Sequence, residues 1–123
     1  MMGWWFVVTQ QTPEELDKAT DPGAFLLASW ETSVSGIDWL LKLAKEGHAT
    51  RLTFDGYPNR FVAAASAVLP LITHGPPRHS GPEIIGDDYV MPGNWTGKVT
   101  VHLDKIAACP ADQIITIDVW DQS

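Results

Sequence analysis

Apolar positions along this chain recur with two different periods. "WWFVV" (4–8) is an unbroken run of bulky aromatic and β-branched residues, the mark of a buried strand. "TRLTF" (50–54), "WTGKVTVHL" (95–103) and "QIITIDVW" (113–120) carry strand-like apolar character bounded by turn residues. Helical spacing governs 33–48, where Val34, Ile37, Leu41 and Ala44 recur beside Leu40, and Gly47 stands at the C-terminal cap. Asn59 reads as the cap of a second long helix through "RFVAAASAVLPLI", which Pro70 kinks or ends. A short helix opens at Thr12, with Pro13 in its first turn and Glu15 spaced to complete a capping box, and "DPG" (21–23) closes it. "DKIAACPAD" reads as a short helix or turn. Together these predict a single α+β domain over 1–123: a mixed or antiparallel sheet of about four strands packed against two main helices.

Charge narrows the partner. Eight basic against 15 acidic side chains give −7, a field that repels phosphate backbones, and no basic stripe offsets it. Nucleic acid is therefore not the expected ligand; a basic protein is. The N-terminal apolar run is too short for a membrane span and lacks a basic leader. Cys109 is the single cysteine, so no internal disulfide forms and the reducing cytoplasm is the expected compartment. Its neighbours supply no base, and it reads as a structural thiol.

The segment "HGPPRHSGPEIIGDDYVMPGNW" (74–95) is too rich in proline and glycine for a helix or central strand. It holds His74, His79, Asp87 and Asp88, the types needed for a base with its orienting carboxylate or for a metal. The spacing selects neither: no third histidine or cysteine stands at ligand distance, and a Pro-rich loop fixes no common face. No cofactor or metal is expected. His48 stands where it can meet the last carbonyls of a helix, and His102 alternates outward between Val101 and Leu103. Neither Ser66 nor Ser80 has a nucleophile-elbow glycine pattern.

The six tryptophans say more. Trp4 or Trp5 belongs to the core by alternation, and Trp39 lies on or beside a helix's apolar stripe. Trp95 and Trp120 are candidate anchors for a partner, since tryptophan buries large area with few rotors.

Several stretches resemble the YfbM-like family of small bacterial proteins: "TPEELDKATDPGAFL" after the first strand, "SWETSVSGIDWLL", and "GPEIIGDDYVMPGNW". Asp38 stands where that family tends to carry a histidine, and Tyr89 is displaced toward the aspartate pair. The resemblance implies no particular activity. In its small size and acidity the chain also resembles immunity proteins, which neutralise secreted bacterial toxins by plugging their active sites.

Two readings of different class follow. The first is an acidic, non-catalytic binding protein that neutralises a cognate toxin, with Asp87, Asp88, Tyr89, Trp95, Trp120 and Asp121 at the contact. The alternative is a small hydrolase or transferase using His74 or His79 with Asp87 or Asp88.

Overall fold

The computed structural model describes residues 3–52, 58–78, 84–85, 90–91 and 94–122. Among them the elements run β1 (Trp4–Thr9), α1 (Pro13–Lys18), β2 (Leu26–Thr32), α2 (Asp38–Lys45), β3 (Ala49–Arg51), β4 (Asn59–Ala64), α3 (Ala65–Ile72), β5 (Ile84–Ile85), β6 (Val90–Met91), β7 (Thr96–Val101), α4 (Leu103–Ala108) and β8 (Ile114–Asp121). Six strands form one sheet in the order β3-β4-β8-β1-β2-β7, and every pairing in it is antiparallel. Among the described residues the short β5 and β6 pair with each other and not with the main sheet.

The α+β class is as the periodicity predicts, but the expected sheet of about four strands against two main helices is not. Among the described residues the main sheet has six strands and the chain four α-helices, and β2 and β4 are the added strands. β2 lies between β1 and β7, and six of its seven residues are buried, polar Ser29, Glu31 and Thr32 among them. Ala28 and Trp30 face the core and Ser29 and Glu31 the other side, but alanine and serine supply half of that short alternation and neither favours a strand. β4 takes the first half of the alanine-rich stretch read as helix. Its residues Asn59–Ala64 pair one for one with Val119–Ile114 of β8, and this ladder overrides a helical preference worth only tenths of a kcal/mol per residue. The helix starts at Ala65, whose N–H bonds the Gln113 carbonyl at 2.8 Å.

One face of the sheet makes the core. Trp4, Phe6 and Val8 of β1, Ala28 and Trp30 of β2, Phe61 and Ala63 of β4, and Ile115, Ile117 and Val119 of β8 share it by register. The Phe6 and Trp30 rings stack at 4.9 Å and 7°, and Trp39 of α2 covers both at 5.8 and 6.3 Å. Leu40 of α2, Val68, Leu69 and Ile72 of α3, and Ile106 of α4 complete the same cluster. Fully burying a side chain such as Phe6 contributes roughly 1.5–3 kcal/mol, and a stacked aromatic pair adds about 0.5–1.5 kcal/mol to that burial.

Two helix ends follow the sequence signals. The Thr12 hydroxyl accepts from the Glu15 N–H at 3.3 Å while Glu15 accepts from the Thr12 N–H at 3.1 Å, a reciprocal capping box. α2 closes on Gly47 at φ +83°, with His48 N–H to Leu43 O at 2.8 Å and Gly47 N–H to Ala44 O at 3.2 Å. This paired closure needs a left-handed residue, which glycine supplies without a Cβ clash. Thus His48 meets the helix carbonyls through its backbone, and its side chain is exposed. Among the described residues no helix is long and apolar enough to cross a membrane.

Candidate functional site

The second face of the sheet is built differently. Trp5, Val7 and Thr9 point away from the core because neighbouring strand residues face opposite sides. Register sets Trp5 between Trp120 of β8 and Glu31 of β2, and Glu31 opposite Gly97 of β7. A Cβ on Gly97 would come within 2.7 Å of Trp95 Cζ2, so the Trp95 indole lies over the place where a side chain would stand. The result is one row across four strands: Trp120, Trp5, Glu31, then Trp95 above Gly97. All three indoles are half-buried. With strands spaced about 4.8 Å apart, the row extends about 14 Å.

Trp95 is fixed through its backbone. Its carbonyl accepts from the Ser33 N–H at 3.0 Å and from the Thr32 hydroxyl at 3.3 Å, tying the entry of β7 to the end of β2. The β2–β7 register shifts between Ser29 and Glu31, where Lys98 adopts φ +47°. The resulting bulge re-aims a side chain near the edge of the sheet. Lys98 Nζ reaches the Glu31 carboxylate at 3.1 Å, and that carboxylate side chain is only 7% exposed.

Next to this row lies a second charged set. Val7 faces Asp118 of β8, and Asp118 faces Arg60 of β4. Arg60 grips Asp118 at two points, Nε to Oδ1 at 2.8 Å and one terminal nitrogen to Oδ2 at 3.1 Å, and its other terminal nitrogen reaches Asp17 of α1 at 2.9 Å. The bond to Asp118 foremost, and that to Asp17 after it, hold the guanidinium above its ordinary range despite the opposing cost of burial. Arg60 therefore clamps α1 to the sheet. Two carboxylates against one guanidinium leave the set negative.

Between α1 and the sheet opens a cleft of about 530 Å³, walled by Val7, Leu16 and Leu26 and edged by Asp17, Arg60, Asp118 and Trp120. Thr9 also lines it; its hydroxyl donates to the Thr116 carbonyl at 3.4 Å, and the Thr116 hydroxyl donates to the Gln11 carbonyl at 2.6 Å. The cleft and the tryptophan row meet at Trp120.

The residues expected from sequence divide into three groups. Asp87, Asp88, Tyr89 and His79, with Ser80, lie outside the described residues. Trp95 and Trp120 stand at the two ends of the row. Asp121 is exposed at the end of β8 and pairs with Trp4, which puts it on the opposite face from Trp120. His74 is exposed in the turn after α3. His102 follows β7 rather than alternating within it: it is half-buried at the head of α4, with its N–H on the Leu27 carbonyl at 2.9 Å. Cys109 is half-buried against the core, and burial pushes its thiol up. Among the described residues no three of His, Cys, Asp and Glu gather to hold a metal ion.

Sequence reasoning missed Trp5, Glu31, Lys98, Asp17 and Arg60 as site residues. They stand far apart in the chain, and only strand register assembles them. The sole advance signal was Trp5 beside Trp4: where one of two neighbouring strand tryptophans enters the core, the other faces away.

No family model, no curated protein and no solved structure matches the chain. The likeness to the YfbM-like family rests on the quoted motifs alone.

Proposed function

We propose that this chain is a cytoplasmic binding protein of the immunity type, which neutralises a basic bacterial toxin by covering it with the second face of the sheet. The observation that carries this reading is the row of three half-buried indoles across four hydrogen-bonded strands. Indoles held on a rigid sheet lose little entropy when a partner covers them, and tryptophan is enriched where binding energy concentrates. The ion pairs between and beside them, Glu31 with Lys98 and Arg60 with Asp118, give the face fixed polar positions that select a register. A net charge of −7 steers a basic partner toward it. Trp95 and Trp120, the two anchors expected from sequence, bound the surface. The reading also suits the lone Cys109, which stays a thiol in a reducing compartment.

The test is co-expression with the product of the adjacent gene, followed by light scattering on the purified mixture and calorimetry. The expected result is a 1:1 complex whose association slows as salt rises. Trp5→Ala and Trp120→Ala should each weaken it by about thirtyfold, the equivalent of a 2 kcal/mol anchor. The absence of a complex, or one indifferent to both substitutions, overturns the proposal.

A further inference from the structure

We infer that the cleft between α1 and the sheet receives an arginine side chain of the bound partner, its stem against Leu16, Val7 and Leu26 and its guanidinium between Asp17 and the Trp120 ring. This rests on the reading of the same face as a protein-binding surface and names the chemistry it selects. Three features choose the occupant. The cleft, at about 530 Å³, falls in the ordinary size range of ligand-holding sites and exceeds one side chain, leaving room for the segment that carries it. Its walls are aliphatic, which suits the methylene stem of a long cationic residue.

Its charge is complementary as well. Asp17 and Asp118 face a single guanidinium, Arg60, so the set carries one uncompensated negative charge. Asp118 is spent on Arg60 at two points and its side chain is 8% exposed, whereas the Asp17 side chain is 65% exposed and meets Arg60 through one oxygen. The excess charge is thus presented to solvent at Asp17, on the rim of the cleft it shares with Trp120. Arginine fits this pair better than lysine, because its planar group stacks on an indole while its edge meets a carboxylate. An anionic occupant would be opposed by the excess negative charge of the set, and a wholly apolar one would cover that charge without adding a counter-charge.

The full chain, labelled with ¹⁵N, is titrated by NMR with N-acetylargininamide, and in parallel with the neutral isostere N-acetylcitrullinamide. The expected result is saturable shifts at Val7, Thr9, Leu16 and the Trp120 indole N–H with the first probe only, weakening as salt rises. Asp17→Asn, a substitution on an exposed helix face that leaves the Arg60–Asp118 pair intact, should raise the apparent dissociation constant about threefold or more. The complex with the protein partner should weaken by a similar factor. Equal responses to the two probes, no saturable shift, shifts confined to another surface, or an affinity unmoved by Asp17→Asn each overturn the inference. A partner complex that depends on Trp5 while the arginine probe fails to bind removes the inference and leaves the binding function standing. An arginine probe that binds with Asp17 dependence supports the cleft even where no partner complex forms.

Discussion

Replacing Arg60 by methionine isolates the charge clamp under the candidate site. The guanidinium contacts both oxygens of Asp118, at 2.8 and 3.1 Å, and the two side chains are only 18% and 8% exposed. At a charge separation of about 4 Å and an effective dielectric near 20, the attraction is about 4 kcal/mol, offset in the native protein by the desolvation of both groups. Methionine keeps much of the apolar stem and removes the charge, so Asp118 stays in the sheet between β4 and β1 without its counterion. Breaking a buried pair from one side costs about 3–5 kcal/mol; the adjoining cleft admits water to the carboxylate and places the expected loss at the low end, about 3 kcal/mol. For a chain of this size that corresponds to a fall in Tm of about 12 °C. Loss of the Asp17 contact adds only a few tenths, since that carboxylate is well exposed. The assay is urea unfolding followed by far-UV circular dichroism, with linear extrapolation. The companion variant Arg60→Met/Asp118→Leu removes both charges and should recover most of the loss. A single variant within 1 kcal/mol of the parent protein, or a double variant no more stable than the single, would refute the reasoning.

Three further outcomes concern Gly36 and Cys109. Gly36→Ala should destabilise by about 2 kcal/mol in the same urea assay, because a Cβ there runs into the Thr32 side chain, which is itself buried. Cys109 should react with a thiol reagent more slowly in the folded protein than in urea. Burial raises its thiol pKa, so the neutral form is favoured by folding: that contribution is whole below the unfolded thiol's value and is lost as pH climbs through the folded one. Stability should therefore decline in alkaline solution, and Cys109→Ser should flatten that part of the profile.

Elements whose signals are local were legible in the sequence. Thr12 with Glu15, and Gly47 after an amphipathic run, each specify a helix end within one turn of chain, and the structure has both. β1 and β8 were equally plain, being dense in β-branched and aromatic residues. β2 and β4 were not. β2 alternates over a short stretch in which Ala28 and Ser29, weak strand formers, supply half the pattern. β4 has an alternating pattern, Phe61 and Ala63 inward, but in alanines that also suit a helix, and only pairing with β8 decides between them. The candidate site follows the same logic. Trp95 and Trp120 announce themselves by residue type, whereas Trp5, Glu31 and Arg60 acquire meaning through register across strands far apart in sequence.

β8 follows every other strand along the chain yet occupies the interior of the sheet, joining the β3–β4 pair to β1. A ribosome delivering about 5–20 residues per second therefore exposes two unfinished strand edges, on β1 and β4, until the final stretch emerges to zip them together. Such distant pairings slow folding, and the waiting edges invite adhesion between nascent chains. The centrally inserted strand thus leaves the β1 and β4 edges without their shared partner until Ile114–Asp121 has emerged.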